Sequence, residues 1–198
     1  MRSIILLEFV SLDGIIQSPG APGEDPSDGF TYGGWTVPYF DEFAGEIIGE
    51  QMKRPFNLLL GRKTFEIFAS YWPHHADDWP GVNETVKYVV SNTLAKPEWK
   101  NSTVIAGDIV NEITNLKKQN GPDLHVYGSS KLVHTLLEHN LADELWLKIF
   151  PVILGSGKRL FAGSALPAAF KLTDSKVSPN GVMFANYARA GEVKTGSF

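Results

Sequence analysis

Hydrophobic residues follow two periods along this chain, and the switches between them delimit the elements. Residues 3–10 are rich in Ile, Leu, Phe and Val and stop at Asp13-Gly14, the pattern of a buried strand and a turn. Residues 38–53 place Phe40, Phe43, Ala44, Ile47, Ile48 and Met52 at helical spacing after Thr36 and Pro38, predicting a first amphipathic helix. Residues 56–60 read as a strand ended by Gly61, and residues 62–71 as a helix through Phe65, Phe68 and Ala69. Two short strands follow at 87–91 and 102–106, then a helix at 109–118. Residues 124–127 form a strand running into Gly128-Ser129-Ser130, followed by a helix at 131–139 and a strand at 144–149. Residues 170–177 and 182–189 read as a closing antiparallel hairpin around residues 178–181.

Strands alternating with helices predict one α/β domain over residues 1–198, with a mostly parallel sheet covered by helices on both faces and an antiparallel C-terminal hairpin. The loop at 17–35 holds three Pro and five Gly. It contributes little core, and a loop that long in a compact domain reads as functional, a lid over a site.

Composition removes several functional classes. The 198 residues are 43% hydrophobic, ordinary for a globular protein, and no apolar run approaches the roughly 20 residues of a membrane-spanning helix. The start MRSIILLEF meets Glu8 and Asp13 without a small-residue cleavage site, so it reads as a strand and not a signal peptide. With no Cys there is no thiolate chemistry, and cytoplasm is the expected compartment. The net charge is -4 and basic residues cluster only in pairs, Lys117-Lys118 and Lys158-Arg159, which speaks against nucleic-acid binding.

Chemistry is concentrated where two strands run into glycine-containing turns that open helices: LLLGRKTFE at 58–66 and HVYGSSKLV at 125–133. Such helix starts offer free N–H groups and partial positive charge to a phosphate, and Arg62, Lys63, Thr64, Ser129, Ser130 and Lys131 add donors. The same residues are also ordinary caps and turn formers, and neither turn matches a phosphate-loop or G-x-G-x-x-G fingerprint. His134 and His139 are five apart, not the four of a helical metal pair, so no metal is expected. No G-x-S-x-G elbow supports a serine hydrolase built on Ser129 or Ser130. Asp41, beside the aromatic stretch GGWTVPYF, either faces a pocket or favours the start of the first helix.

Taken in order, SLDG at 11–14, LLLGRKTFE, KYVVS, VYGSSKLVHTLLEHNLADELWL and FPVILGSGKRLF resemble the dihydrofolate reductase-like superfamily, and within it the riboflavin-biosynthesis branch, over nearly the whole chain. The resemblance implies an NADPH-dependent reductase acting on a small heterocycle: a 5-amino-6-(5-phosphoribosylamino)uracil reductase, a dihydrofolate reductase, or an enzyme for an unrelated carbonyl or imine. By that resemblance Gly61, Arg62, Lys63 and Thr64 hold cofactor phosphates, with Arg62 favouring NADPH over NADH, and Ser91 and Asn92 the adenosine end. Gly128, Ser129, Ser130, Lys131 and Leu132 form the pyrophosphate turn, and Phe9, Asp13, Gly14 and Ile16 border the nicotinamide. Trp35, Asp41 and Lys148 fall on the substrate side. Asp41 is the counterpart of the pterin-binding catalytic acid, although strict spacing back from GRKT puts that acid at Gly45 or Glu46. Lys148 and the Lys158-Arg159 pair are the candidates for a ribose phosphate. Related reductases pair, so a homodimer is expected, with Phe150, Phe161, Phe170 and Phe184 as core or as its surface. A nucleotide-binding protein without catalysis is the alternative.

Overall fold

Short β-branched and leucine-rich runs become strands here, and the 3.6-period stretches between them become helices, each laying an apolar stripe on the sheet. A computed structural model describes residues 1–161 and 166–197. It contains β1 (Ile4–Ser11), α1 (Glu42–Met52), β2 (Phe56–Gly61), α2 (Arg62–Tyr71), β3 (Lys87–Val90), β4 (Ser102–Ile105), α3 (Ile109–Lys118), β5 (Asp123–Val126), α4 (Ser130–Glu138), β6 (Glu144–Phe150), β7 (Ala169–Val177) and β8 (Met183–Gly191). Apart from α1, the expected ends lie within one or two residues of these.

The strands form one sheet in the order β4-β3-β2-β5-β1-β6-β8-β7. Pairing is parallel from β4 to β6, and β8 joins β6 and β7 antiparallel as the expected hairpin. Alternate residues of β1 serve opposite faces. Ile4, Leu6 and Val10 pack with Ile113 and Leu116 of α3 and with Leu132, Val133 and Leu136 of α4. On the other face Phe9 joins Ala44, Ile47 and Ile48 of α1, and Leu58 and Leu60 of β2 meet Phe65 and Phe68 of α2. Phe150 and Phe184 are core, Phe170 packs at its margin, and Phe161 is exposed.

The first helix begins later than its periodicity predicts. Val37–Tyr39 is a separate 3-10 turn, Phe40 is extended, and Asp41 caps α1 by accepting the Ala44 N–H at 2.8 Å. Pro38 starts that 3-10 turn instead, where its missing N–H costs nothing.

The long loop folds back on itself around Gln17, which is 3% exposed. The Gln17 amide donates to the Asp25 and Ser27 carbonyls at 2.9 and 3.0 Å and accepts from the Lys158 N–H, while the Gln17 carbonyl receives Trp35 Nε1–H at 2.8 Å. Phe30 and Trp35 complete the core beneath it.

Candidate functional site

Strands β1 and β5 are neighbours, yet they send the chain to opposite faces: β1 leads to α1 and β5 to α4. Their pairing ends at Leu6↔Val126, while β1 stays paired with β6 as far as Ser11↔Phe150. A crevice must therefore open beside the last residues of β1, the topological switch point where open α/β sheets bind ligands. A cleft of about 1240 Å³ lies there, running from α1 and the 16–28 loop across the ends of β1, β2, β3 and β5.

One end of the cleft is an anion cradle. Helices α2 and α4 both start on its wall. Gly61, the N-cap of α2, has no side chain to cap with, and Ser129, the N-cap of α4, does not bond its hydroxyl to the first turn. Two sets of free N–H groups thus face one space. Gly128 and Ser129 are successive left-handed residues, with φ of +57° and +64°. They bring the turn so close to β2 that a Cβ on Gly61 would lie 1.9 Å from Ser129 Oγ. Arg62, Lys63, Thr64, Ser130, Lys131 and Leu132 line the same end. Among the described residues Arg62 carries only an exposed contact to Glu66 at 3.5 Å, a pair too solvated to hold it. Ser91 and Asn92 also line the cleft. Ser91 Oγ accepts the Thr93 and Leu94 N–H groups, and Asn92 Oδ1 that of Gly107.

The floor holds two buried ionisable groups. Glu8 and Lys148 are 3% and 2% exposed and both line the cleft. Glu8 Oε1 accepts the Gly128 N–H at 2.9 Å, bridging β1 to the cradle turn. Burial pushes its carboxyl up to about 8, although the Gly128 bond and the Lys148 charge pull the other way. Burial brings the Lys148 ammonium down to about 7 against the pull of Glu8, and its Nζ lies 5.7 Å from the Phe9 ring centroid. Phe9 and Ile16 complete this part of the lining.

Asp13, Gly14, Trp35 and Asp41 do not line the cleft. Asp13 ties the β1 turn to the next loop: it accepts Ser11 Oγ–H at 2.6 Å and the N–H groups of Leu154 and Gly155 at 3.2 and 2.8 Å. Burial works to raise its pKa, but these bonds outweigh that and lower it. Gly14 supplies the positive φ of that turn, +84°. The SLDG motif is thus a knot beside the cleft. Trp35 is buried against Phe150, ring centroids 5.4 Å apart. Asp41, expected to face a pocket, instead spends its carboxylate on the Ala44 N–H and, across the molecule, on Asn180 N–H at 3.2 Å.

Glu8 was missed from sequence, although a lone charge inside IILLEFVS was the available signal. Also missed was the α1 wall, where Gly45 and Gly49, four apart on one helix face, line the cleft with Ile48, Gln51 and Met52. A Cβ at either glycine would meet nothing within 4 Å. The wall is therefore open space, and of the two positions counted back from GRKT, Gly45 lines the cleft and Glu46 does not.

Among the described residues no group of His, Asp and Glu is arranged to hold a metal ion, and no helix is long and apolar enough to cross a membrane. The structure is similar to that of a protein of Shewanella sp. PV-4 assigned provisionally to riboflavin biosynthesis (TM-score 0.64, 22% identity, covering 96% of this chain and 99% of that one). It is also similar to a pyrimidine reductase-like protein of Corynebacterium diphtheriae (TM-score 0.61, 13% identity, 96% and 93% covered). These likenesses show the dihydrofolate reductase-like fold. In sequence the chain is 33% identical over 195 residues to the uncharacterized protein YyaP of Bacillus subtilis, with 92% of both covered. It is 27% identical over 194 residues to YwjB of the same organism, with 96% and 99% covered. The family model of the RibD C-terminal domain matches residues 2–184, and the chain belongs to that family.

Proposed function

We propose that this protein is an NADPH-dependent reductase of a small, unphosphorylated planar heterocycle, imine or carbonyl compound. The observation that carries the reading is the pair of uncapped helix starts, α2 and α4, meeting across Gly61 and Ser129 at the switch point. That geometry suits a pyrophosphate, and exposed Arg62 beside it suits a 2′-phosphate through a charge-assisted fork. Bound there, a dihydronicotinamide would supply a hydride. The chain's own part is to hold the two partners together, exclude water between Phe9, Phe40, Ile48 and Met52, and provide a proton.

The substrate class follows from what the lining lacks. Among the described residues α1 offers the cleft no carboxylate, which weighs against a pterin held by an acid on that helix. Lys158, expected to serve a ribose phosphate, is tied to Asp25 and to Ser27 Oγ, and Arg159 is turned to Asp13 outside the cleft. That leaves Lys148, whose buried amine is brought down to about 7 and is less than fully charged, and it weighs against a phosphoribosyl substrate. Burial raises the Asp25 carboxyl, but the Lys158 and Ser27 contacts outweigh this and hold it at about 2, so it stays an anion at the mouth.

Titrating the protein with NADPH and NADH, followed by energy transfer from its tryptophans, tests the reading. NADPH is expected to bind more tightly than NADH, and Arg62→Ala to lose about 1.5–3 kcal/mol for NADPH alone. No binding of either nucleotide would overturn it. NADPH oxidation with unphosphorylated imines and carbonyls, set against dihydrofolate and the phosphoribosylaminouracil, tests the substrate class. Binding without any turnover would mark a nucleotide-binding protein instead.

A further inference from the structure

Reduction of a C=N or C=O bond needs a proton as well as a hydride, and the acid expected from sequence, Asp41, does not line the cleft. We propose that Glu8 is the proton donor, held at the fork of β1 and β5 by the Gly128 N–H. The proposal rests on the reductase reading. Hydride from the dihydronicotinamide adds to the carbon of the double bond, and the π pair moves to the nitrogen or oxygen. That atom takes the carboxyl proton of Glu8. The carboxylate left behind is reprotonated from water.

Geometry carries the argument. Glu8 lies on the cleft lining at the switch point, two residues beyond the last β1–β5 pair at Leu6. Its Oε1 is fixed by the 2.9 Å bond from Gly128, and among the described residues Oε2 has no protein partner. A purely structural bridge to one N–H needs only an acceptor, which a glutamine would provide without a buried acid. Of the titratable groups on the flanking elements, His125 and Tyr127 before and after the end of β5, Lys131 on α4 and Lys148 on β6, it is the Lys148 charge that reaches Glu8. The raised carboxyl pKa is consistent with an acid that still carries its proton near neutrality.

The test uses NADP+ and NADPH as probes and needs no substrate. The two differ by the positive charge on the nicotinamide ring, and their phosphates are common to both. Calorimetric titrations at pH 7.5, in buffers of unequal ionisation enthalpy, count protons exchanged on binding. Placed beside Glu8, the cationic ring should expel its proton, so NADP+ should release roughly half a proton or more beyond NADPH. Glu8→Gln should abolish the difference. Lys148→Met should preserve it, because the proton released comes from Glu8 and not from the buried amine. Equal proton counts for both nucleotides on the wild-type protein would overturn the proposal while leaving the reductase reading intact, and this comparison stands even where a variant fails to fold. Failure of both nucleotides to bind would overturn the two together.

Discussion

Gly61 and Ser129 are 68 positions apart, yet a Cβ built on Gly61 would lie 2.5 Å from Ser129 Cβ as well as 1.9 Å from its hydroxyl. The end of β2 and the start of α4 touch there without room for a methyl group, and that closeness joins two helix starts into one cradle. Gly61 is in ordinary extended conformation, so proximity and not backbone freedom demands the glycine.

Gly61→Ala should therefore push the cradle apart, with loss of NADPH affinity and of stability by about 1–3 kcal/mol, as for other overpacked sites. Ser129→Gly removes both clashing atoms and relieves a left-handed serine that costs about 1 kcal/mol. The double variant should recover most of the loss. Thermal melts and nucleotide titrations of the single and double variants measure the coupling, and additive effects would contradict the contact.

Two helical glycines shape the substrate wall. Glycine inside a helix costs about 1 kcal/mol relative to alanine, and nothing packs where the Cβ atoms of Gly45 and Gly49 would be. Gly45→Ala and Gly49→Ala should each stabilise the fold by roughly 0.5–1 kcal/mol in chemical denaturation. Both narrow the cleft, so substrate KM should rise while NADPH affinity stays unchanged.

Asp41 acts on α1 as a cap. Asp41→Ala should cost about 0.5–2 kcal/mol of stability and Asp41→Asn much less, with nucleotide binding unaltered in both. Loss of NADPH oxidation in a folded Asp41→Asn variant would return the carboxylate to the chemistry.

His125 is 1% exposed, stacks on Phe56 with ring centroids 5.3 Å apart, and has no partner for Nδ1 among the described residues. Burial lowers its pKa from 6.5 to about 4. Between those values the unfolded chain binds the proton and the native state does not, so stability falls as pH drops from 6.5 towards 4, by up to about 1.4 kcal/mol per unit. His125→Phe removes that dependence. Its stability relative to wild type, measured by urea unfolding, should rise as the pH is lowered through this window and be constant above 7.

The chain's own order of residues determined most of the secondary structure. Helix α2 and helix α3 lie at the residues their periodicity predicts, and the alternation of runs indicated a mostly parallel sheet with a closing hairpin. Turns GRKT and GSSK were likewise legible as helix openings, because capping, glycine freedom and the 3.6 period are local effects acting within one or two turns. Tertiary structure alone decided which candidates share a site. It separated Asp41, Trp35 and Asp13 from the cleft and turned Lys158 to Asp25. It also joined Glu8 to the Gly128 N–H, 120 positions away. A sequence window contains neither pair: Lys158 and Asp25 meet across two loops, and Glu8 and Gly128 meet where β1 and β5, made neighbours by the strand order, part to opposite faces of the sheet. The crevice they leave is a property of the crossing connections, which no single stretch of residues encodes.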